Sequence, residues 1–371
     1  MRDVRKRRKL FFGSSAGLAI TLAVVALAVF GGFARASAAS SCKELKLLTW
    51  QGYTDNSWVK PFEQKYGVKV KSTFIGSGDE EIAKVAAGGN KIYDATNLSV
   101  DNFHALLGVK SSMPLDVSRL TYYKQLYPFL QSRFAVGGKV YGVPWTWDIN
   151  PFLYSTKLFP TPPTSWSVLW DPRLKGKVGV WDDLSTIYIA ATVLGFDKPN
   201  PNHVFNLSDA ELNQVLKKLK ELKPNIRTIW SDGGELINLM ANGEVQAGLG
   251  WSYIYNQLRL KHAPIGRTVF PNQGAHAWVD GWGITPNGNP SCRDMAYNWI
   301  NWVTGPQMMA KVAIVDGYTP AHPGAASYLQ PSLVKSLHMD NAAALVKRAI
   351  FKVDPVRRAK YVEIMNEFKA S

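Results

Sequence analysis

One strand–helix–strand pattern near the start of the chain constrains the fold more than any other feature. The pattern consists of a strand at 45–50, a helix at 58–66 with Asn56-Ser57 as its cap and Gly67 at its end, and a strand at 68–74. A βαβ unit of this length requires a parallel sheet, and such sheets bind ligands at the carboxyl ends of their strands. We therefore expect an α/β fold in which Trp50 and Tyr53 lie at a ligand-facing edge.

The first 38 residues have the three parts of a secretory signal peptide. Six basic residues occur within residues 2–9, an uncharged run of 25 residues extends from Leu10 to Ala34, and Ala36-Ser37-Ala38 offers a small-x-small cleavage site. The pattern predicts a signal peptide at residues 1–38 and export of the mature protein. The uncharged run is also long enough to span a bilayer, so an uncleaved membrane anchor is the alternative.

The charge distribution argues against a nucleic-acid-binding protein. The chain of 371 residues carries a formal net charge of +15, but residues 1–38 hold seven basic residues and one acid, so the mature chain would carry +9. The remaining basic residues are scattered, as at Lys217-Lys218 and Arg357-Arg358, and are typical of solvated helix faces. The length and a hydrophobic content of 46% favour two globular domains instead.

Cys42 and Cys292 are the only cysteines in the sequence. An exported chain meets an oxidising environment, where a single disulfide can form between them. Cys42 could instead be a lipidation site near the mature N-terminus, although Ala39-Ser40-Ser41 lacks the leucine and small residue expected ahead of such a cysteine. No Cys/His cluster in the sequence has metal-ligand spacing, so the sequence predicts neither a metal nor a cofactor.

A carboxylate flanked by two indoles occurs at Trp278, Asp280 and Trp282. In an extended segment these residues point to the same face, so they would form one wall with an anionic head between aromatic plates. Such a wall suits an organic cation, which gains charge pairing from the acid and cation–π attraction from the rings. The alternative is a strand whose tryptophans belong to the core and whose aspartate caps a turn.

Other aromatic and acidic residues occupy similar positions in well-separated parts of the chain. Trp50, Asp183 and Trp251 each fall where a predicted strand ends or a loop begins, as Trp278 and Asp280 do. Tryptophans buried in separate cores would have no reason to share that location. The pattern therefore favours one binding site that several strand ends assemble.

Several short motifs occur along the chain in a fixed order, from about Leu45 to its end. They are Thr49-Trp50-Gln51-Gly52-Tyr53, Thr164-Ser165-Trp166 with Leu169-Trp170, Lys175-Gly176-Lys177 with Asp182-Asp183, Gly250-Trp251, Trp278-Val279-Asp280 and Gly317-Tyr318-Thr319-Pro320. Together these motifs resemble the periplasmic substrate-binding proteins of ABC importers, specifically the spermidine/putrescine-binding branch.

The resemblance implies a two-lobed type II periplasmic-binding fold, in which each lobe is a mostly parallel sheet flanked by helices and crossing strands join the lobes. The implied division is 42–147 with 278–325 for one lobe, and 148–277 with 326–371 for the other. This division places Cys42 and Cys292 in the same lobe, which supports the disulfide. The ligand would lie in the cleft between the lobes, and the membrane permease would detect their closure about a hinge.

The resemblance also implies a ligand set, because in that family the amine chain lies among aromatic rings while carboxylates hold the ammonium ends. The matching aromatic, hydroxyl and acidic residues are Trp50, Tyr53, Trp251, Trp278, Ser99, Asp183 and Asp280.

Two ligand positions depart from the family pattern. Thr186 stands where the family has a second acid, and Asp101 stands where it has a tyrosine. Asp148 and Asp182 could also reach the cleft. The expected ligand is therefore a small organic cation, for which a diamine or an amine-bearing compound with a polar tail fits as well as spermidine.

Three other functions are the alternatives. A ferric-iron carrier of the same broad fold would use Tyr253, Tyr255 and His276. An exported hydrolase would need a nucleophile elbow, a pattern that Gly250-Trp251-Ser252-Tyr253-Ile254 breaks at its last position. A sensor that presents ligand to a chemoreceptor would have the same sequence features as a carrier. We expect a monomeric binding protein, not an enzyme, that delivers a polyamine-like cation to an ABC permease.

Overall fold

The structure, a computed structural model, describes residues 42–198 and 200–371. The predicted signal peptide, residues 1–38, lies outside the described residues. Within the described ranges, no helix has both the length and the apolar character needed to cross a membrane.

Fourteen strands occur in the described part of the chain. They are β1 (Glu44–Trp50), β2 (Lys69–Ile75), β3 (Ala95–Ser99), β4 (Ala135–Val136), β5 (Lys139–Val140), β6 (Val143–Ile149), β7 (Phe152–Ser155), β8 (Val178–Trp181), β9 (Ile226–Trp230), β10 (Ala247–Leu249), β11 (Ile265–Thr268), β12 (His276–Ile284), β13 (Thr319–Pro320) and β14 (Ile350–Phe351).

The α-helices of the same residues are also fourteen, and most of them cover the faces of the sheets. They are α1 (Asn56–Tyr66), α2 (Gly78–Lys84), α3 (Asn90–Ile92), α4 (Phe103–Gly108), α5 (Pro128–Gln131), α6 (Ser185–Val193), α7 (Asp209–Leu222), α8 (Gly233–Ala241), α9 (Ser252–Leu260), α10 (Arg293–Thr304), α11 (Pro306–Asp316), α12 (Pro331–Ser336), α13 (Ala342–Arg348) and α14 (Arg358–Ala370).

The predicted βαβ unit is present. Strands β1 and β2 pair in parallel, with Glu44 opposite Lys69 and Trp50 opposite Ile75. The helix between them ends at Gly67, whose φ of 63° lies in the left-handed region that glycine adopts without steric cost. The predicted cap is displaced by one residue, because Asp55 rather than Asn56-Ser57 accepts the first free N–H of the helix.

The strands form two large sheets. The first has the order β13-β6-β12-β3-β1-β2, with β14 paired to β12, and the second has the order β11-β7-β10-β8-β9. Both sheets are mixed. Strand β12 runs antiparallel to β3 and β6 because the chain returns from the second sheet in the opposite direction to its exit along β6.

The chain passes between the sheets at three places: between β6 and β7, between β11 and β12, and after β14, where α14 packs against α7 of the second sheet. The predicted lobe boundaries at 147/148 and 277/278 fall within β6 and β12, and β14 joins the first sheet although 326–371 was assigned to the second lobe. The exact boundaries stay a prediction.

The predicted disulfide is present between Cys42 and Cys292, with a Cα–Cα distance of 4.8 Å. It links the residues just before β1 to the start of α10. The bridge therefore lies at the amino end of β1, at the opposite end of that strand from Trp50.

Candidate functional site

The carboxyl ends of strands from both sheets enclose one cavity of about 420 Å³, part of it open to solvent. Trp50, Ser99 and Trp181 are the last residues of β1, β3 and β8, and Trp251 follows β10. The full lining consists of Trp50, Tyr53, Ser99, Asp101, Asn102, Asn150, Trp181, Asp183, Trp251, Trp278, Asp280, Tyr318 and Lys352. Eight of the nine predicted ligand residues therefore meet at one place, and their binding role remains a proposal.

Indole rings form one wall of the cavity. The ring centroids of Trp50 and Trp251 are 5.9 Å apart, and those of Trp181 and Trp251 are 5.3 Å apart, in both cases edge to face. Trp230 stacks behind Trp181 at 5.6 Å with nearly parallel planes. This edge-to-face arrangement fixes the rings against one another and lines that side of the cavity with apolar ring atoms.

A second aromatic wall comes from the first sheet and the turn after α11. Trp278 packs edge to face on Tyr318 at 4.9 Å, and Tyr318 packs on Tyr53 at 5.9 Å. Both walls line the same cavity, and Asp101, Asp183 and Asp280 line it with them.

Asp280 is buried, with only 4% of its surface exposed. Its Oδ2 accepts a hydrogen bond of 2.7 Å from the Tyr53 hydroxyl, and its Oδ1 accepts one from the Ser99 hydroxyl. Burial raises the pKa of Asp280 to about 7, while the Ser99 and Tyr53 hydrogen bonds oppose the rise. The carboxylate is thus held in place by two neutral donors and lacks a cation within ion-pair distance among the described residues.

Tyr53 is a neutral donor rather than a charged partner. Burial raises its pKa well above the ordinary value, and the Asp280 charge raises it further. Thr146 lies 3.2 Å from the same hydroxyl. The tyrosine therefore orients Asp280 without neutralising it.

Asp183 and Asp101 are the other two acids that line the cavity. The Oδ1 of Asp183 accepts hydrogen bonds from the Ser185 backbone N–H at 2.8 Å and from the Ser185 hydroxyl at 2.6 Å. Asp101 forms an ion pair of 2.7 Å with Lys352. Burial raises the pKa of Asp183, and the Lys352 ammonium opposes that rise.

Three of the predicted or suggested cleft residues lie elsewhere. Thr186 is buried and donates its hydroxyl to the carbonyl of Trp181 at 2.6 Å, so it does not line the cavity. Asp182 pairs with Lys369 at 2.9 Å. Asp148 lines a separate cavity with Arg267.

The predicted wall of Trp278, Asp280 and Trp282 is correct for the first two residues and wrong for Trp282. All three belong to β12, which is buried along its whole length. Trp282 is covered by Trp145 and Trp299, with both ring centroids 5.6 Å away. Trp282 therefore lies outside the cavity, in the part of β12 that α10 covers.

Five lining residues were absent from the sequence prediction: Asn102, Asn150, Trp181, Tyr318 and Lys352. Trp181 ends a strand just before Asp182-Asp183, so the rule that selected Trp50 would also have found it. Tyr318 belongs to a motif that carried the family resemblance. Lys352 follows a strand of two residues and gives no comparable signal in the sequence.

Buried polar atoms without partners face the same space. Within the described residues, neither the amide nitrogen nor the amide oxygen of Asn150 has a hydrogen-bond partner, and the same holds for the indole N–H of Trp50. Buried polar groups are paired in most native structures, so such atoms in a cavity indicate a site for ligand or water.

The three residues considered for iron have separate surroundings. His276 lies 3.0 Å from the Thr192 hydroxyl, and burial lowers the pKa of this histidine to about 3. The ring of Tyr255 contacts the Arg267 guanidinium at 4.7 Å, while Tyr253 packs near Gly52. Across residues 42–198 and 200–371, no group of three or more His, Cys, Asp and Glu side chains is placed to hold a metal ion.

An aromatic and acidic cavity between two α/β sheets, with the chain passing repeatedly from one sheet to the other, defines a solute-binding protein of the two-lobed class. The chain belongs to the family described as bacterial extracellular solute-binding proteins, which matches residues 57–341.

Known proteins of this kind are similar along most of their length. The chain is 26% identical over 327 residues to the spermidine/putrescine-binding periplasmic protein 1 of Haemophilus influenzae, which covers 86% of this chain and 87% of the relative.

Two solved structures, each covering 88% of this chain and 99% of its own, show the same fold. The TpPotD lipoprotein of Treponema pallidum has a TM-score of 0.73 at 23% identity. The spermidine/putrescine ABC transporter substrate-binding protein PotD of Streptococcus pneumoniae has a TM-score of 0.66 at 22% identity. The predicted type II periplasmic-binding fold is thereby confirmed.

Proposed function

We propose that this protein is the substrate-binding component of an ABC importer and that it captures a polyamine or related small organic cation in the aromatic cavity. The observation that carries the proposal is Asp280, a buried carboxylate held by two neutral hydroxyl donors and flanked by Trp278. The spermidine and putrescine named for the relatives belong to the same ligand class.

The geometry of the cavity suits an alkyl chain that carries ammonium groups. A cation that leaves water loses hydration and needs both charge pairing and hydrogen bonds. Asp280 and Asp183 supply the charge, and the unpartnered amide oxygen of Asn150 supplies a further acceptor. The rings of Trp50 and Trp251 would cover the methylene groups and add cation–π attraction of up to about 2 kcal/mol per contact.

Ligand capture would be coupled to the arrangement of the two sheets. The lining residues come from both sheets, so a ligand that contacts all of them favours the state in which the sheets are close together. A ligand shifts such an equilibrium only through its differential affinity for the two states. The closed state would then be the form that a membrane permease recognises.

The proposal includes a location and an assembly state. An export signal at residues 1–38 would place the mature protein in the periplasm, where the relatives' names place them. The protein would act as a monomer, with lobes at 42–147 plus 278–325 and at 148–277 plus 326–371.

Mass spectrometry of the small molecules that co-purify with the protein, followed by calorimetric titration, tests the proposal. We expect an amine in the spectrum and saturable binding of putrescine or spermidine, with weaker binding of basic amino acids. Absence of binding to every amine, together with binding of an anion or sugar, would contradict it. A visible absorbance band on addition of ferric iron would favour the iron carrier instead.

A further inference from the structure

Lys352 is a buried cation inside the cavity, with 3% of its surface exposed. It directly follows β14, and its backbone N–H donates to the Ala277 carbonyl at 2.8 Å. Its Nζ lies 2.7 Å from Asp101 Oδ2 and 3.3 Å from the Ser185 hydroxyl. The ammonium is thus anchored by Asp101 and by Ser185, whose hydroxyl also donates to Asp183.

The surroundings of Lys352 keep it charged. Burial by itself would lower the pKa of this lysine, but the carboxylates of Asp101, Asp183 and Asp280 outweigh burial and raise the pKa above its ordinary value. The ring of Trp181 lies 5.6 Å from the Nζ, within cation–π distance. Of the described residues that line the cavity, Lys352 is the one basic side chain.

Lys352 occupies the kind of place that a ligand ammonium would take. It lies between Asp101, which follows β3 of the first sheet, and Ser185, which begins α6 beside the second sheet. Its ammonium also contacts the ring of Trp181 and the carboxylate of Asp101 at the same time. The side chain therefore already makes the contacts that the proposed function assigns to one end of a bound polyamine.

The charges in the cavity leave room for two further cations. Three carboxylates line it, at Asp101, Asp183 and Asp280, and Lys352 pairs with the first of them. Ser185, Ser99 and Tyr53 donate hydrogen bonds to the other two but carry no positive charge. In the described part of the chain, neither Asp183 nor Asp280 has a basic side chain within the 4.0 Å limit of an ion pair.

Resting on the proposed function, we infer that Lys352 is a specificity-determining residue: its ammonium fills the place of a third ligand ammonium, so the cavity selects a linear diamine over a triamine. A diamine would place its two ammonium groups at Asp183 and Asp280. A triamine would bring its third ammonium toward Lys352, where like charges repel each other in a desolvated site. The pairing with Lys352 also explains why this chain has an acid at position 101, where the spermidine/putrescine-binding branch has a tyrosine.

Calorimetric titration of the wild-type protein with putrescine and with spermidine gives the first test. We expect putrescine to bind at least about tenfold more tightly, since spermidine meets one uncompensated repulsion. Equal affinities or a preference for spermidine would overturn the inference while leaving the proposed function intact. If neither amine binds, it is the proposed function that fails.

The Lys352→Met variant gives the second test, because it removes the charge and keeps an unbranched side chain. The ratio of spermidine to putrescine affinity should rise at least about tenfold, since Asp101 becomes free to pair with the third ammonium. The exposed Lys347→Met variant is the matched control and should leave the ratio unchanged. An unchanged ratio in Lys352→Met would refute the assignment.

A second variant covers the case in which Lys352→Met does not fold, because that change leaves Asp101 buried without a partner. Lys352→Gln keeps an N–H donor for Asp101 and still removes the positive charge. The same rise in the affinity ratio is expected, whereas retention of the wild-type ratio in a folded Lys352→Gln protein would contradict the role of the charge.

Discussion

Asp280 is surrounded by acids as well as by donors, and this governs how its charge depends on pH. Asp101 raises the pKa of Asp280 and Lys352 lowers it, but burial is the largest effect and brings the pKa to about 7. Glu81, buried near the same cavity, has its own pKa raised by burial and by the charges of Asp280 and Asp101. Protonation of Asp280 therefore changes in the neutral range.

The raised pKa of Asp280 predicts that amine binding strengthens as the pH rises. A ligand ammonium needs the ionised carboxylate, and the ionised fraction at a pKa of about 7 rises from about one tenth at pH 6 to about nine tenths at pH 8. We expect the affinity for putrescine to increase about tenfold over this range, as measured by calorimetry. The amine itself stays protonated throughout.

Proton release provides the control for this pH dependence. Titrations at pH 7 in two buffers of different ionisation enthalpy should show release of about half a proton per ligand bound. An affinity that is constant from pH 6 to pH 8, without proton release, would contradict a titrating carboxylate in contact with the ligand.

At the scale of single residues, the sequence predicted those lining residues that occur where a strand ends on an aromatic or acidic side chain. Trp50, Asp183 and Trp251 obey that rule, because the carboxyl ends of neighbouring strands meet at one edge of a sheet. Lys352 could not be found in this way. Its strand of two residues pairs with β12, about seventy residues earlier in the chain, and such pairing leaves no local pattern.

Among the elements, β12 contributes most to the site. It pairs with both β3 and β6, and all nine of its residues are buried. Alternation along an extended strand correctly predicted that Trp278 and Asp280 share a face. The same rule could not predict that Trp282 lies under α10, since helix placement depends on contacts that are distant in sequence.

The contact between the end of β2 and the end of β9 predicts an element-scale effect on binding. The Gly76 carbonyl accepts a hydrogen bond of 3.0 Å from the Trp181 indole, and a Cβ added at Gly76 would lie 2.1 Å from the Ser231 carbonyl oxygen. Gly76→Ala should therefore force the two sheets apart at this edge. We expect putrescine affinity in calorimetry to fall at least about tenfold, the effect of about 1.4 kcal/mol.

Gly108→Ala is the matched control for Gly76→Ala. Apart from its chain neighbours and its own helix backbone, no atom lies within 4 Å of a Cβ built at Gly108, so the same chemical change meets no obstacle there. Both variants should keep a cooperative thermal transition. Wild-type affinity in Gly76→Ala would show that this close approach of the sheets is not required for binding.

At the scale of the whole molecule, the disulfide and the cavity lie at opposite ends of β1, so they should affect different properties. Replacing both Cys42 and Cys292 by alanine should lower the free energy of unfolding by about 2–5 kcal/mol, because the unfolded chain gains conformational freedom. Urea denaturation measures this loss. Putrescine affinity should change less than about threefold, since Trp50 is at the far end of the strand.

Two outcomes would contradict that separation. Unchanged stability in the double variant would mean that the bridge does not stabilise the protein by restricting the unfolded chain. A large loss of affinity without loss of folding would mean that the amino end of β1 affects the cavity.

More of the overall fold than of the site could be predicted from the sequence, because the βαβ pattern and the ordered motifs each constrain many residues at once. The pairing of Cys42 with Cys292, predicted from the oxidising environment of an exported chain and supported by the family resemblance, is confirmed. The mixed character of the sheets did not follow from local patterns, since the direction of β12 depends on the chain returning from the second sheet.

The central claim is that a buried carboxylate at position 280 binds the ammonium group of the ligand, and calorimetric titration of Asp280→Asn with putrescine tests it most directly. The variant keeps the size of the side chain and removes the charge, so affinity should fall about 100-fold or more. Asp182→Asn, whose carboxylate pairs with Lys369 outside the cavity, should bind as the wild type does. Wild-type affinity in a folded Asp280→Asn protein would contradict the account.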